Sequence, residues 1–262
     1  MNKEEIHAVY LDHMGSDLSV VNAARASFGS ESGWASDGTL LAQDANLIRF
    51  LALGYRTGEW EALIDQFLDA AKREDRLAIS DMLRIYKNKP QHWAPFGHPH
   101  LQIRMTLPIF LGRQFVKHQV GGVWSEESRR YISDEPGVWF PDQWHTRPDD
   151  IKQGSGDAVQ HQDMATGLAE AAVDNAVHSY LAMVNPNGNL KVAPEEARII
   201  LPQNAMTTVV WTGSLAFWAR VVNQRVEAHA QGAAKILGRQ ISAIVQPHFP
   251  ESWKWLISPD LQ

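Results

Sequence analysis

Residues 101 to 131 read LQIRMTLPIFLGRQFVKHQVGGVWSEESRRY, and the change of period inside them sets the fold class. Leu101, Ile103 and Met105 alternate with Gln102, Arg104 and Thr106, the period of two that a half-buried strand requires. Pro108 then suits the first turn of a helix running to about His118, because proline has no N–H to lose there. Gly121 and Gly122 break that helix into a polar loop. Strand, helix and glycine loop in so short a span predict an α+β protein in which a small sheet carries helices.

The same two periods recur outward from this stretch. Ile6 to Leu11 is strand-like, and Ser16 or Asp17 can cap a helix bearing Leu18, Val21, Ala24 and Phe28 at helical spacing. From Leu40 to Tyr86 the apolar residues keep helical spacing in three pieces, ended by the proline-bearing segment Lys87 to His100. Downstream, a Gly- and Ser-rich loop at Ile151 to Asp157 precedes a long helical pattern from Ala158 to Val184, which the Asn-Pro-Asn-Gly turn at Asn185 to Gly188 stops. Pro194 with Glu195 and Glu196 opens a short helix, and Ala205 to Trp211 reads as a strand. Ser214 to Val245 is helical in two pieces meeting near Gln224 to Ala228. With no repeat and no shift of composition, residues 1–262 are expected to form one domain.

Composition narrows the function. At 262 residues with 44% hydrophobic and 21% charged content, the chain is large enough for a self-supporting core and too apolar for disorder. No run approaches the about 20 apolar residues of a membrane span, and Met-Asn-Lys-Glu-Glu carries no secretory apolar stretch, so a cytoplasmic protein without membrane contact is expected. The 24 basic and 30 acidic residues give a charge of −6, which disfavours nucleic acid as a partner and requires any anionic ligand to be met locally. Cysteine is absent, which excludes disulfides, thiolate metal sites and every cysteine nucleophile.

Two stretches concentrate polar chemistry on this background. Between Gly112 and Tyr131 lie Arg113, Gln114, Lys117, His118, Gln119, Glu126, Ser128, Arg129 and Arg130 around a diglycine. Guanidinium forks and close backbone N–H groups are what a phosphate needs, although by composition alone a solvated polar loop is the plainer reading. Between Glu196 and Gln231, Arg198, Arg220, Arg225 and His229 interrupt otherwise apolar helices, where long charged side chains also commonly snorkel to water. His92, His98 and His100 offer imidazoles to zinc, but no spacing fixes a third ligand and a proline loop with surface histidines accounts for them; no metal is expected.

Taken in order, these stretches resemble the flavin-dependent thymidylate synthases, the ThyX family, of which the chain looks like a divergent member. The family signature of arginine, histidine, arginine and a later serine stands here as Lys117-His118-Gln119, eight residues and Ser128, within RQFVKHQ at Arg113 to Gln119 and SEESRRY at Ser125 to Tyr131. ARIILPQN at Ala197 to Asn204, Arg225 through His229-Ala230-Gln231, and GSDLSVVNAARASF at Gly15 to Phe28 extend the likeness to three ordered blocks. Both signature arginines are replaced, and Ser214, Ala216 and Arg220 stand where the family places flavin-contacting Asn, Arg and Asn. Ala94 and Gly97 likewise replace polar residues after His92, and the helical stretch at about 58–89 looks like an insertion.

The resemblance implies a small antiparallel sheet wrapped by helices, a homotetramer, and the reductive methylation of dUMP to dTMP. Methylenetetrahydrofolate would donate the carbon, NADPH the electrons, and FAD would carry them, a route that needs no thiolate. Residue by residue, Gln114, Glu126, Ser128, Arg130 and Arg198 would contact dUMP, and Arg225 would orient and polarise its uracil. Lys117, His118, Gln119, Val120, Ser125 and His229 would line FAD, with His92 near the shared flavin and folate cleft. The alternatives are a nucleotide hydroxymethylase on the same fold, a catalytically inactive nucleotide-binding homologue, and a histidine metalloprotein.

Overall fold

A computed structural model describes residues 1–53, 57–87, 92–148, 155–226 and 232–258, with the side chains of 57–63 and 84–87 left aside. Along the chain it forms β1 (Asn2–Lys3), β2 (His7–Met14), α1 (Asp17–Arg25), α2 (Ala42–Leu51), α3 (Thr57–Lys72), α4 (Arg76–Lys87) and α5 (Ala94–Gly97). There follow β3 (His100–Pro108), α6 (Ile109–Phe115), β4 (Gly122–Glu126), β5 (Gly137–Val138), α7 (Gln162–Val184) and α8 (Pro194–Ala197). The chain closes with β6 (Met206–Ser214), α9 (Leu215–Val226), α10 (Gly232–Val245) and α11 (Pro250–Leu256).

The α+β expectation holds. A small antiparallel sheet has the strand order β2-β3-β6-β4, and β1 pairs with β5 in a separate two-stranded parallel ladder. In β3 the alternation read from the sequence is the burial pattern: Leu101, Ile103, Met105 and Leu107 are fully buried, while Gln102, Arg104 and Thr106 are not. In β6, Val209 and Trp211 are buried, alternating with half-buried Thr208, Val210 and Thr212.

The polar loop expected after the diglycine is in part a strand. Gly121, at φ 86, turns the chain in the left-handed region that glycine enters without a Cβ penalty, and Gly122–Glu126 then runs as the edge strand β4. An edge strand with exposed Val123, Ser125 and Glu126 carries no alternating signal, so its composition reads as a loop. What anchors it is Trp124, packed edge-on to Trp211 with ring centroids 5.0 Å apart.

The helices follow their sequence signals closely. The predicted run from Leu40 is α2, α3 and α4, three pieces as expected. Ser16 caps α1, its N–H donating to the Ser19 hydroxyl at 3.0 Å, but α1 stops at Arg25, leaving Phe28 beyond the helix and 86% exposed. Pro108 is the N-cap of α6 rather than its first turn, and α6 ends at Phe115. Most of the predicted 151–157 loop, the junction after Val226 and residues 88–89 of the expected insertion lie outside the described residues.

The chain gathers into two compact units, neither contiguous in sequence. One comprises Met1–Tyr10, Ile103–Thr212 and Arg225–Gln240, the other Leu11–Gln102, Gly213–Gln224 and Ile241–Gln262. The first buries Val138, Val173 and Val177 in one cluster. The second buries Trp218 and Trp253, whose indole N–H groups donate to the Leu101 carbonyl at 3.3 Å and the Ser242 hydroxyl at 2.9 Å. No described helix is long and apolar enough to cross a membrane.

In the second unit the start of α11 is closed by a remote carboxylate. Buried Asp17 accepts the N–H groups of Glu251 at 2.8 Å and Ser252 at 2.9 Å, while burial pushes its pKa up. Asp17→Ala leaves two buried donors unsatisfied and is expected to cost about 1–3 kcal/mol in urea unfolding. Asp17→Asn keeps an acceptor oxygen without the buried charge and should stay within about 1 kcal/mol of wild type. Equal losses in the two variants would show that the contact is not a hydrogen-bonded cap.

Candidate active site

The residues singled out in the sequence meet mainly in the first unit, in three groups. The first forms at the C-terminal end of α6. Arg225, on the last turn of α9, donates its Nε–H to His118 Nε2 at 3.0 Å and an Nη2–H to the Gln114 carbonyl at 2.9 Å. Its guanidinium lies 5.6 Å from the Phe115 ring centroid. The Gln114 carbonyl is among the last of α6, which has no onward helical partner and carries the negative end of the helix dipole, so a cation belongs there. Burial pulls the Arg225 pKa below the usual arginine value, yet the group remains a cation at any ordinary pH. His118 is buried at 8% exposure.

The second group is built on the sheet. Glu126, on β4, accepts the Thr207 hydroxyl of β6 at 2.9 Å on one oxygen and the Trp124 indole N–H at 3.3 Å on the other. Donors on both oxygens fix the plane of the carboxylate, and its acceptor character suits an N–H-bearing ring better than proton abstraction. The neighbouring Glu127 N–H donates to the Thr208 carbonyl at 2.9 Å, holding this stretch against β6.

The third group is cationic. In the turn after β4, the Ser128 hydroxyl accepts the Arg130 N–H at 3.3 Å and its carbonyl accepts the Tyr131 N–H at 3.0 Å. Arg130 Nε meets Glu195 Oε2 at 3.2 Å, and Arg198 Nε donates to the Glu195 carbonyl at 3.2 Å. Two guanidinium groups therefore converge on one residue of α8. The Arg130–Glu195 pair is half exposed, where such bridges contribute about 0–1 kcal/mol, so a phosphate dianion can displace the carboxylate at little cost. Arg129 differs: its Nη1 donates to the Asp134 carbonyl at 2.7 Å and closes the turn.

The remaining expected residues are less converged. Lys117, Gln119, Val120 and Ser125 are exposed on the segment from α6 into β4. His229 lies outside the described residues. His92 belongs to the second unit, where it is exposed beside Phe50, ring centroids 6.5 Å apart. There it lines a cavity of about 940 Å³ together with Arg25, Ser27, Phe28, Leu47 and Phe50. Of the departing positions, Ser214 accepts the Phe217 N–H at 3.2 Å at the head of α9, and Arg220 lies 5.8 Å from the Phe217 ring. Among the described residues no three His, Asp or Glu side chains gather into a metal-binding group.

Sequence reading missed Trp124, Thr207 and Glu195. Each acts as partner to a residue it did find. Thr207, buried on β6, interrupts an apolar face, and Glu195 precedes Arg198 by the three residues of a helical turn; those were the available signals.

The family model described as thymidylate synthase complementing protein matches residues 10–251. A flavin-dependent thymidylate synthase of Ruegeria pomeroyi is 26% identical over 251 residues, covering 93% of this chain and 68% of that protein. Another from Thermosipho africanus is 28% identical over 172 residues, covering 64% of this chain and 72% of its own. Among solved structures, the UMP/dUMP methylase PolB from Streptomyces cacaoi bound with 5-Br dUMP superposes with a TM-score of 0.71 at 20% identity, over 97% of this chain and 96% of that one. At that identity the likeness is one of fold.

Proposed function

The chain belongs to the thymidylate synthase complementing protein family, and from that premise we propose that it is a flavin-dependent thymidylate synthase converting dUMP to dTMP. Methylenetetrahydrofolate would be the carbon donor and NADPH the reductant, in a cytoplasmic homotetramer whose residues 1–262 act as one catalytic domain. The helices around 58–89 would be an insertion outside the chemistry. The observation that carries the reading is the Arg225 clamp: a partly desolvated cation held by His118 and Gln114 in a chain with no cysteine to activate a pyrimidine.

The donor set suits FAD. Lys117, Gln119 and Ser125 provide a cation and neutral donors on one exposed segment, and the His92 cavity falls within the volume range of cofactor and ligand sites. Lys117, Gln119 and Ser125 of the first unit, with His118, Val120 and His229, would contact the flavin, which when bound supplies hydride for the reduction; His92 would contact a ligand from the second unit's own cavity. Arg130 and Arg198 would take the dUMP phosphate with Ser128, exchanging Glu195 for it. Gln114 and Glu126 would fix the edge of the uracil by hydrogen bonds. Arg225 would set its charge against a ring carbonyl, stabilising the negative charge that develops on that oxygen when the ring is attacked.

Purified protein titrated with FAD should gain flavin absorbance, more weakly than a relative bearing both signature arginines, since Lys117 and Gln119 lack bidentate forks. Incubation with dUMP, methylenetetrahydrofolate, NADPH and FAD should yield dTMP, with a parallel UMP arm because PolB is a methylase of both nucleotides. A product heavier by one oxygen would replace this reading with a hydroxymethylase. Nucleotide binding without product would replace it with an inactive homologue, and absence of flavin binding at high micromolar FAD would end it.

A further inference from the structure

We propose that His118 is a positioning residue that acts through Arg225, held as a neutral imidazole with its proton on Nδ1. Arg225 Nε carries one hydrogen and has no acceptor capacity, and it lies 3.0 Å from His118 Nε2. His118 Nε2 must therefore present its lone pair, which an imidazolium or the Nε2–H tautomer cannot do. The Nδ1–H form is the one state of His118 that satisfies this bond.

What the bond achieves is orientation. A guanidinium on an arginine stem has large rotamer freedom, and a fork aimed at a planar substrate must have both its plane and its direction fixed. Here His118 takes the Nε–H, the Gln114 carbonyl takes one Nη2–H at 2.9 Å, and Phe115 stands 5.6 Å from the group. All three come from the C-terminal end of α6 and the turn that follows. Two of the five guanidinium N–H groups are thereby committed, which fixes the plane of the group and the directions of the other three.

Arg225 itself is placed by close backbone packing: a Cβ on Gly238 of α10 would stand 2.5 Å from Val226 Cγ2 and 3.7 Å from Arg225 Cβ. A fixed backbone, a buried imidazole acceptor and a carbonyl thus set the direction of one cation. Its role toward the nucleotide rests on the function proposed above, whereas the state of His118 does not.

The experiment has two arms. In protein labelled with ¹⁵N-histidine at neutral pH, the His118 resonances, assigned by their loss in His118→Gln, should show the Nδ1–H tautomer and should move in Arg225→Lys, whose ammonium cannot reproduce the Nε–H. An imidazolium, an Nε2–H tautomer or no response to Arg225→Lys overturns the proposal.

In the second arm, steady-state dTMP formation at saturating FAD, so that any flavin contact of His118 is not limiting, compares His118→Gln, whose amide oxygen can occupy the place of Nε2, with His118→Leu, of similar bulk and no acceptor. His118→Leu should lose about 10- to 100-fold in kcat with a smaller change in KM, and His118→Gln should recover to within about fivefold. A His118→Leu variant with wild-type kcat overturns the proposal. If wild-type protein makes no dTMP, the functional reading has failed, and the resonance arm alone then decides whether His118 positions Arg225.

Discussion

Arg225→Ala should abolish dTMP formation, lowering kcat/KM for dUMP by a factor on the order of 100 to 1,000 while leaving the protein folded. Removing a buried, charge-assisted partner from a ligand costs about 2–5 kcal/mol, and each 1.36 kcal/mol is tenfold. The loss should fall on kcat as well as KM, because a cation facing the uracil acts most strongly as charge develops on the ring. Within the protein the substitution removes the end-capping of α6 and leaves the buried His118 Nε2 without its donor, a cost of about 1–3 kcal/mol, so circular dichroism should change little and melting should fall modestly. Arg225→Lys keeps the charge but cannot donate along two directions at once, and an intermediate loss is expected. Activity of Arg225→Ala within fivefold of wild type would remove Arg225 from the chemistry altogether.

Arg225, His118 and Gln114 were each accessible from sequence because of where they stand, and the contact that joins them was not. An arginine closing an apolar helix, and a run such as KHQVGGVWSEES around a diglycine, are local features that composition and spacing expose. The alternations of β3 and β6 were equally local, since burial on one face writes a period of two into the chain. The contact between Arg225 and His118 spans 107 positions, and that between Glu126 and Thr207 spans 81. No residue-level pattern encodes such separations. β1 and β5, two residues each, are too short for any periodicity, and β4 lacks it because an edge strand need not bury alternate residues.

The polar network expected to matter most for stability spans only 10 to 19 positions, yet it too lies between elements and leaves no periodic signal. Asp44 on α2 is fully buried, and its Oδ1 accepts two N–H bonds from Arg25 of α1, at 2.5 Å from Nη2 and 3.2 Å from Nε. Its Oδ2 accepts the Ser32 hydroxyl at 2.5 Å. Ser32 is held in turn by Asn22, whose side-chain amide donates to the Ser32 carbonyl at 3.1 Å and accepts its N–H at 2.8 Å. Two helices and the segment between them thus close on one carboxylate.

Replacing such a buried pair by apolar groups can be neutral, but removing one member strands the other. Asp44→Ala should therefore lower the unfolding free energy by about 2–4 kcal/mol, below the upper end for buried pairs because Arg25 retains 25% side-chain exposure. The double variant Arg25→Ala/Asp44→Ala should be less destabilised than the sum of the singles, the non-additivity measuring the coupling. Arg25, Ser27, Phe28 and Ser30 also wall the His92 cavity, so FAD affinity should fall in Asp44→Ala at temperatures where the protein is still folded. Urea unfolding and a flavin titration on the same preparations test both effects, and a stability loss under 1 kcal/mol would show that the carboxylate is dispensable to the packing of α1 against α2.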